Sequence, residues 1–279
     1  MLTDEQVRGY LDRIGAARPE RPDLAALRDL QERHTFTVPF ENLDYHLGHE
    51  IHMDERVLDK VVRQRRGGGC FEINTSLFFL LRALGFAVTL HQGRVWLSER
   101  FNGPHNHLML TVDLPETGSR WLVDVGFGKN SRFPFRLDAA EPYVDPHGRF
   151  ATRRVEPGVV DVYRNDALQY RFYDEPADLA DFRQNLWWYR TCPDSPFLRN
   201  MFCTLPTADG RVTLQGDVLT VIAGDRRTVE TLTDDDALLE AYRRWFGIVL
   251  DKPPTPSPYA DQSSRMAFFQ SDDGGPARR

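Results

Sequence analysis

Cys70 stands at the end of Arg66-Gly67-Gly68-Gly69, where a glycine-rich loop runs directly into the apolar, helix-patterned segment Phe71-Glu72-Ile73-Asn74. The first turn of a helix carries unpaired N–H groups and the positive end of the macrodipole, and both favour thiolate over thiol. Cys70 is therefore a candidate nucleophile, with a buried core cysteine as the alternative on residue type alone. The glycines are expected to leave the sulfur uncovered and to allow close approach of a backbone or a substrate. Two later residues have the right chemistry to activate a thiol. His107 opens the strand-like run His107-Leu108-Met109-Leu110-Thr111-Val112, and Asp124 sits near the end of Trp121-Leu122-Val123-Asp124-Val125, just before Gly126-Phe127-Gly128. A carboxylate among Trp, Leu and Val is costly unless it is paired, and an imidazole on the adjacent strand would satisfy it. The same imidazole would turn its other nitrogen to the Cys70 sulfur, giving a cysteine–histidine–aspartate relay. Taken singly, such a His is commonly structural and such an Asp is commonly a turn or cap; only the three together point to chemistry.

The elements that must position these groups follow from periodicity. Thr3 and Gln6 have capping-box spacing, and Val7, Tyr10, Leu11 and Ile14 recur at helical intervals, which predicts a helix over 3–14. Further helices are predicted over 23–33 and 54–65 and from Cys70 to a stop at Gly85, with Pro39 forcing Val38 into an extended conformation between them. The first 85 residues thus read as a helical domain. After Gly85 the period changes to two. Strands are expected over 86–96, 107–114, 121–125, 159–164 and 168–173, in an antiparallel sheet or barrel that makes a second domain over 86–190. A helical stretch is expected over 176–189, a hairpin at 211–214 and 218–223, and a helix over 234–246 capped by Thr233, within a third domain over 191–255. Proline-rich and then polar sequence predicts a flexible tail over 256–279.

Composition narrows the function classes. A 41% hydrophobic content in 279 residues allows a real core, and a net charge of −6 counts against a general nucleic-acid binder. No run of apolar residues suggests a membrane span, and the N-terminal residues do not read as a secretion signal, so a cytoplasmic location is expected. Three cysteines (Cys70, Cys192, Cys203) without CxxC spacing argue against a disulfide framework and against zinc or iron–sulfur sites; Cys192 and Cys203 are read as structural. His46, His49 and His52 have the look of a metal cluster but cross Gly48 in a loop, and no metal site is expected there.

The blocks Val38-Pro39-Phe40-Glu41-Asn42-Leu43, Arg66 to Asn74, Gly93-Arg94-Val95, the His107 strand, Val123 to Gly128 and, more loosely, Cys192-Pro193-Asp194-Ser195-Pro196-Phe197 resemble the arylamine N-acetyltransferases. The resemblance implies an α+β fold with a helical first domain, a β-barrel-like second domain and an α/β third domain forming a lid, with a papain-like triad. It places Cys70, His107 and Asp124 on the catalytic positions. It implies ping-pong acyl transfer from acetyl-CoA, a co-substrate rather than a bound cofactor, to an aromatic amine or hydrazine. Phe40, Val95, Phe127 and Phe197 fall at acyl-pocket positions, or are plain core, and Arg66 and Glu41 match residues that pair near the active site, here expected as a bidentate pair. Pro196 replaces a histidine common in bacterial members. Lys129 and Arg132 make the stretch after Gly128 more cationic than the pattern, as a coenzyme A phosphate contact or as a solvated turn. The loop between Val95 and His107 is short. The related macrolactam-forming amide synthases, which take acyl chains from a carrier protein, remain an alternative, and a triad peptidase or transglutaminase-like enzyme is a more distant one.

Overall fold

In the computed structural model, which describes residues 1–261, the chain builds two antiparallel sheets around a helical N-terminal region. Helix α1 (Asp4–Ile14) begins with the Thr3/Gln6 capping box and buries Val7, Tyr10, Leu11 and Ile14. Helix α2 (Leu24–Thr37) is capped by Asp23 and continues past Arg33 to Thr37. Pro39 constrains only the residue before it, so the helix ends at Val38, which is extended (φ −104°, ψ 107°). After strand β1 (Phe40–Glu41) comes a short helix, α3 (Leu43–Leu47), that hydrophobic periodicity did not signal.

Of the helix expected over 54–65, residues 57–63 are helical, most of them not in α form. Asp54 accepts from the Arg56 backbone N–H at 3.0 Å, as an N-cap does, so the start signal is present and the departure lies further along. What forms is a π-helical stretch, Asp59–Arg63, in which Gln64 N–H donates to Asp59 O at 2.9 Å. Helix α4 (Cys70–Ala83) starts at the expected residue; it is capped through Glu72, whose Oε2 accepts from Gly69 N–H at 3.0 Å.

The barrel-like sheet has the order β5-β4-β3-β2-β9-β8-β7-β6, all antiparallel. Its strands are β2 (Ala87–Val95), β3 (His107–Leu114), β4 (Ser119–Val123), β5 (Phe135–Arg136), β6 (Tyr143–Asp145), β7 (Gly148–Glu156), β8 (Val159–Arg164) and β9 (Ala167–Tyr173). Across the gap between the end strands the rings of Phe135 and Tyr143 stack at 6.0 Å. Met109, Leu122, Phe127, Phe150, Val162 and Phe172 fill the interior. Strands β5 to β7 were not anticipated, because β5 and β6 are very short and β7 carries exposed arginines where alternation would need apolar residues.

A 3-10 turn (Leu179–Phe182) and helices α5 (Arg183–Thr191) and α6 (Pro196–Arg199) lead to the second sheet, in the order β1-β10-β11-β12-β13. Here β10 (Phe202–Thr207) and β13 (Arg226–Thr231) extend the expected hairpin of β11 (Gly210–Gln215) and β12 (Val218–Ala223). Every residue of β13 is exposed, so it has no buried face to betray it in sequence. Helix α7 (Asp235–Phe246), capped by Asp234 rather than Thr233, packs Tyr242 and Phe246 into the core of this sheet with Met201, Cys203 and Leu214. Pairing of Glu41 with Cys203 ties this sheet to the segment preceding the glycine loop. The first residues of the expected tail are anchored: Ser257 N–H donates to His46 Nδ1 at 2.9 Å and its hydroxyl to Leu198 O at 2.6 Å. The remainder of that tail, 262–279, lies outside the described residues. Among the described residues no helix is long and apolar enough to cross a membrane.

Candidate active site

Cys70 is the first residue of α4 and is buried. The preceding glycines serve packing rather than exposure of the sulfur. An added Cβ would lie 1.8 Å from Pro39 O at Gly67 and 2.6 Å from Glu72 Oε2 at Gly68. Pro39 O accepts from Gly68 N–H at 3.3 Å and Gly68 O from Glu41 N–H at 3.2 Å, so the loop is laid against β1.

The barrel delivers the other two groups. His107 begins β3 and Asp124 directly follows β4, its hydrogen-bonded neighbour. His107 Nε2–H donates to Asp124 Oδ2 at 2.8 Å. With Nε2 committed, Nδ1 is the nitrogen left for Cys70, whose side chain hydrogen-bonds the imidazole. Burial works against a charged His107, but the Asp124 carboxylate, its hydrogen bond and the Cys70 sulfur outweigh burial and push the imidazole up to about 10. Burial would raise Asp124, but His107, the Asn74 amide and Gly126 N–H hold it below its ordinary value. Both shifts favour imidazolium beside carboxylate in this enclosed pair.

Asn74 was missed as a site residue. It lies one turn after Cys70 on the same face of α4, a polar residue in an apolar helix, and that spacing was the available signal. Its Nδ2 donates to Asp124 Oδ1 at 2.9 Å and to Leu108 O at 2.7 Å, and its Oδ1 accepts from Val125 N–H at 2.9 Å. One side chain therefore joins the nucleophile helix to both strands. Gly126 permits that closeness, since a Cβ there would lie 2.6 Å from Asn74 Nδ2 and 2.7 Å from Cys70 Cα.

The four expected pocket residues fall into two groups. Phe127 meets His107 edge-on at 5.2 Å, and Val95 pairs in register with Tyr170, whose ring lies 4.8 Å from His107. Phe40 and Phe197 lie on the other side, with Phe197 stacked on Tyr45 and edge-on to Tyr189, each at 4.9 Å. Tyr45, Tyr170 and Tyr189 carried no sequence signal. Pro196 is the first residue of α6, and Ser195 caps that helix.

Arg66 and Glu41 pair as expected but not as a fork on two oxygens. Arg66 Nε and Nη2 both donate to Glu41 Oε1, at 3.1 and 2.8 Å, while Oε2 accepts from Leu43 N–H at 2.7 Å. The pair belongs to a larger buried cluster with Asp44, Lys60 and Glu72, none of which was singled out in sequence.

Lys129 is buried and lines a small cavity of about 20 Å³ with Asp124, Phe127 and Tyr170, so it does not sit on a solvated turn. Arg132 is paired with Glu32 at 2.5 Å and lies 5.0 Å from the centre of the Phe36 ring, which holds it against α2. His46, His49 and His52 are engaged separately, with Ser257 N–H, Asp44 and Glu50. No group of three or more potential metal ligands occurs among the described residues.

A cysteine at a helix start, facing a histidine–aspartate pair on an antiparallel barrel, defines a cysteine-triad enzyme of papain-like architecture. A family model described as N-acetyltransferase matches residues 23–255, and the arylamine N-acetyltransferase of Mycolicibacterium smegmatis is 34% identical over 253 residues, 87% of this chain and 91% of that protein. The chain belongs to the arylamine N-acetyltransferase family and is an acyltransferase. Its fold is similar to the solved structure of the M. smegmatis enzyme (TM-score 0.81, 32% identity, 88% of this chain and 93% of that one). It is also similar to that of Mycobacterium marinum arylamine N-acetyltransferase in complex with CoA (TM-score 0.79, 30% identity, 87% and 92%).

Proposed function

We propose that this enzyme transfers an acetyl group from acetyl-CoA to an aromatic amine or hydrazine by a ping-pong route through a Cys70 thioester. The observation that carries the reading is the His107–Asp124 bond of 2.8 Å beside a cysteine at a helix start. His107 takes the Cys70 thiol proton, and the thiolate attacks the thioester carbonyl. The carbon–sulfur bond to coenzyme A breaks, and the imidazolium returns its proton to the departing sulfur. The amine then attacks acyl-Cys70, the imidazole takes the amine proton, and the amide leaves as the thiolate is released. Backbone N–H groups near the start of α4 stabilise the oxyanion, without Gly69 N–H, which Glu72 occupies. Phe40, Val95, Phe127 and Phe197 form the apolar wall that protects the acyl-enzyme from water, with residues 191–255 as the lid. Lys129 is kept as a candidate contact for the coenzyme phosphates, and Arg132 would have to leave Glu32 to make one. A reduced nucleophile suits a cytoplasmic location.

The test is mass spectrometry of the protein after incubation with acetyl-CoA. One acetyl group should appear on Cys70, disappear on addition of an arylamine such as aniline, and be absent from Cys70→Ala. Failure of acetyl-CoA together with acylation by a long-chain thioester on a carrier-protein mimic would make the enzyme a macrolactam-type amide synthase instead.

A further inference from the structure

Lys60 is one of three lysines in the chain, and it is buried beneath the nucleophile loop at 9% exposure. It lies in the π-helical stretch Asp59–Arg63. Its Nζ sits 2.7 Å from Glu72 Oε1, 2.8 Å from Asp44 Oδ2 and 3.7 Å from Glu41 Oε1. Arg66 covers the remaining faces of Glu41 and Asp44 at 2.8 and 3.1 Å. Three carboxylates and two cations leave this enclosed cluster at −3 + 2 = −1.

Glu72 connects the cluster to the chemistry. One oxygen takes the Lys60 ammonium and the other accepts from Gly69 N–H at 3.0 Å, closing the first turn of the helix that begins with Cys70. The carboxylate has no room to shift, because it lies against Gly68, where an added Cβ would be 2.6 Å from Oε2. The titratable and charged groups around it are Lys60, Glu41 from β1, Asp44 and Tyr45 from α3, Arg66 from the loop and Cys70 from its own helix. Burial pushes the Glu72 carboxyl up, Lys60 opposes this, and Glu41 and Asp44 add to the push.

We propose that Lys60 is a positioning residue for acyl transfer: it holds Glu72 as a carboxylate aimed at Gly69 N–H and so fixes the turn from which Cys70 projects. The inference rests on Cys70 being the nucleophile. Without the ammonium the cluster would stand at −3 + 1 = −2, and Glu72 would take up a proton to restore −1. As pH rises that proton is lost, the carboxylate is expelled from its slot, and the first turn of α4 loosens.

The experiment compares Lys60→Met, Glu72→Gln and the double variant with wild type across alkaline pH. It reads kcat/KM for acetyl-CoA and the iodoacetamide alkylation rate of Cys70. Lys60→Met should lose about 10- to 100-fold, the scale of a displaced reacting group, with the loss deepening as pH rises. The double variant returns the cluster to −2 + 1 = −1 and keeps an amide oxygen for Gly69 N–H, so it should recover to the level and pH profile of Glu72→Gln. Two results would overturn the proposal: an unchanged Lys60→Met enzyme, or a loss equal at every pH that Glu72→Gln does not rescue. If Lys60→Met fails to fold, the double variant decides, because a folded, active double supports charge balance and an unfolded one refutes it. A wild-type protein that is not acylated by acetyl-CoA would instead refute the nucleophile reading, independently of the Lys60 comparison.

Discussion

Replacing Asn74 by Ala removes the one side chain that ties α4 to both strands of the site. Asn74 is fully buried, so the amide's partners do not regain bulk water. Val125 N–H loses its acceptor at 2.9 Å, Leu108 O loses a donor at 2.7 Å, and Asp124 Oδ1 loses its amide donor while keeping Gly126 N–H. An unpaired buried donor costs about 1–3 kcal/mol, and the vacated volume beside Gly126 adds about 1 kcal/mol, for a total of about 3 kcal/mol. For a chain of this size that lowers Tm by about 6–12 °C. Because Asp124 orients His107, the acylation kcat/KM should fall by about 10- to 100-fold as well. Differential scanning calorimetry and stopped-flow release of coenzyme A measure the two effects. A variant with Tm within about 1 °C of wild type and an undiminished acylation rate would refute the argument that Asn74 orders the pair.

Gly126→Ala places a Cβ 2.7 Å from Cys70 Cα; overpacking of this kind costs about 1–3 kcal/mol and should displace the sulfur, so iodoacetamide labelling of Cys70 should slow in a protein that still folds. Labelling at the wild-type rate would contradict it. Glu41→Gln takes the charged acceptor from Arg66, whose remaining partner is Asp44, which should cost about 1.5–3 kcal/mol in urea unfolding and lower activity by loosening the Cys70 loop; full activity with full stability would make the pair incidental. His34 is fully buried and neither ring nitrogen has a partner among the described residues; burial and then the Arg13 charge hold its pKa down to about 3, against an ordinary 6.5. The unfolded chain therefore binds the proton more readily, and stability is lost as pH falls below 6.5, by about 2 kcal/mol at pH 5. His34→Leu should abolish that acid-side loss, and identical slopes in wild type and variant between pH 8 and pH 5 would sink the explanation.

Where a local signal sufficed, the sequence was readable. The Thr3/Gln6 box, the run of apolar residues after Cys70 and the alternation in β3 and β4 each act over a few neighbouring residues, and those elements form where expected. The same logic fails where a strand has no buried face, as in β13, or where the backbone bonds run five residues back instead of four, as from Gln64 to Asp59. It fails too for side chains whose role depends on a distant partner, such as Tyr170 against His107.

The sequence by itself determined which groups are present, their order, and that Cys70 begins a helix, because residue type and helix capping are local properties. Only the tertiary structure decided that His107 and Asp124 come within 2.8 Å, that Asn74 bridges them to the nucleophile helix, and that Lys60 joins the cluster beneath the loop. The physical reason is that the charge state of a buried group depends on its neighbours in space. For Glu72 those neighbours arrive from β1, α3, a π-helical stretch and the glycine loop, and packing of the whole domain alone brings them together.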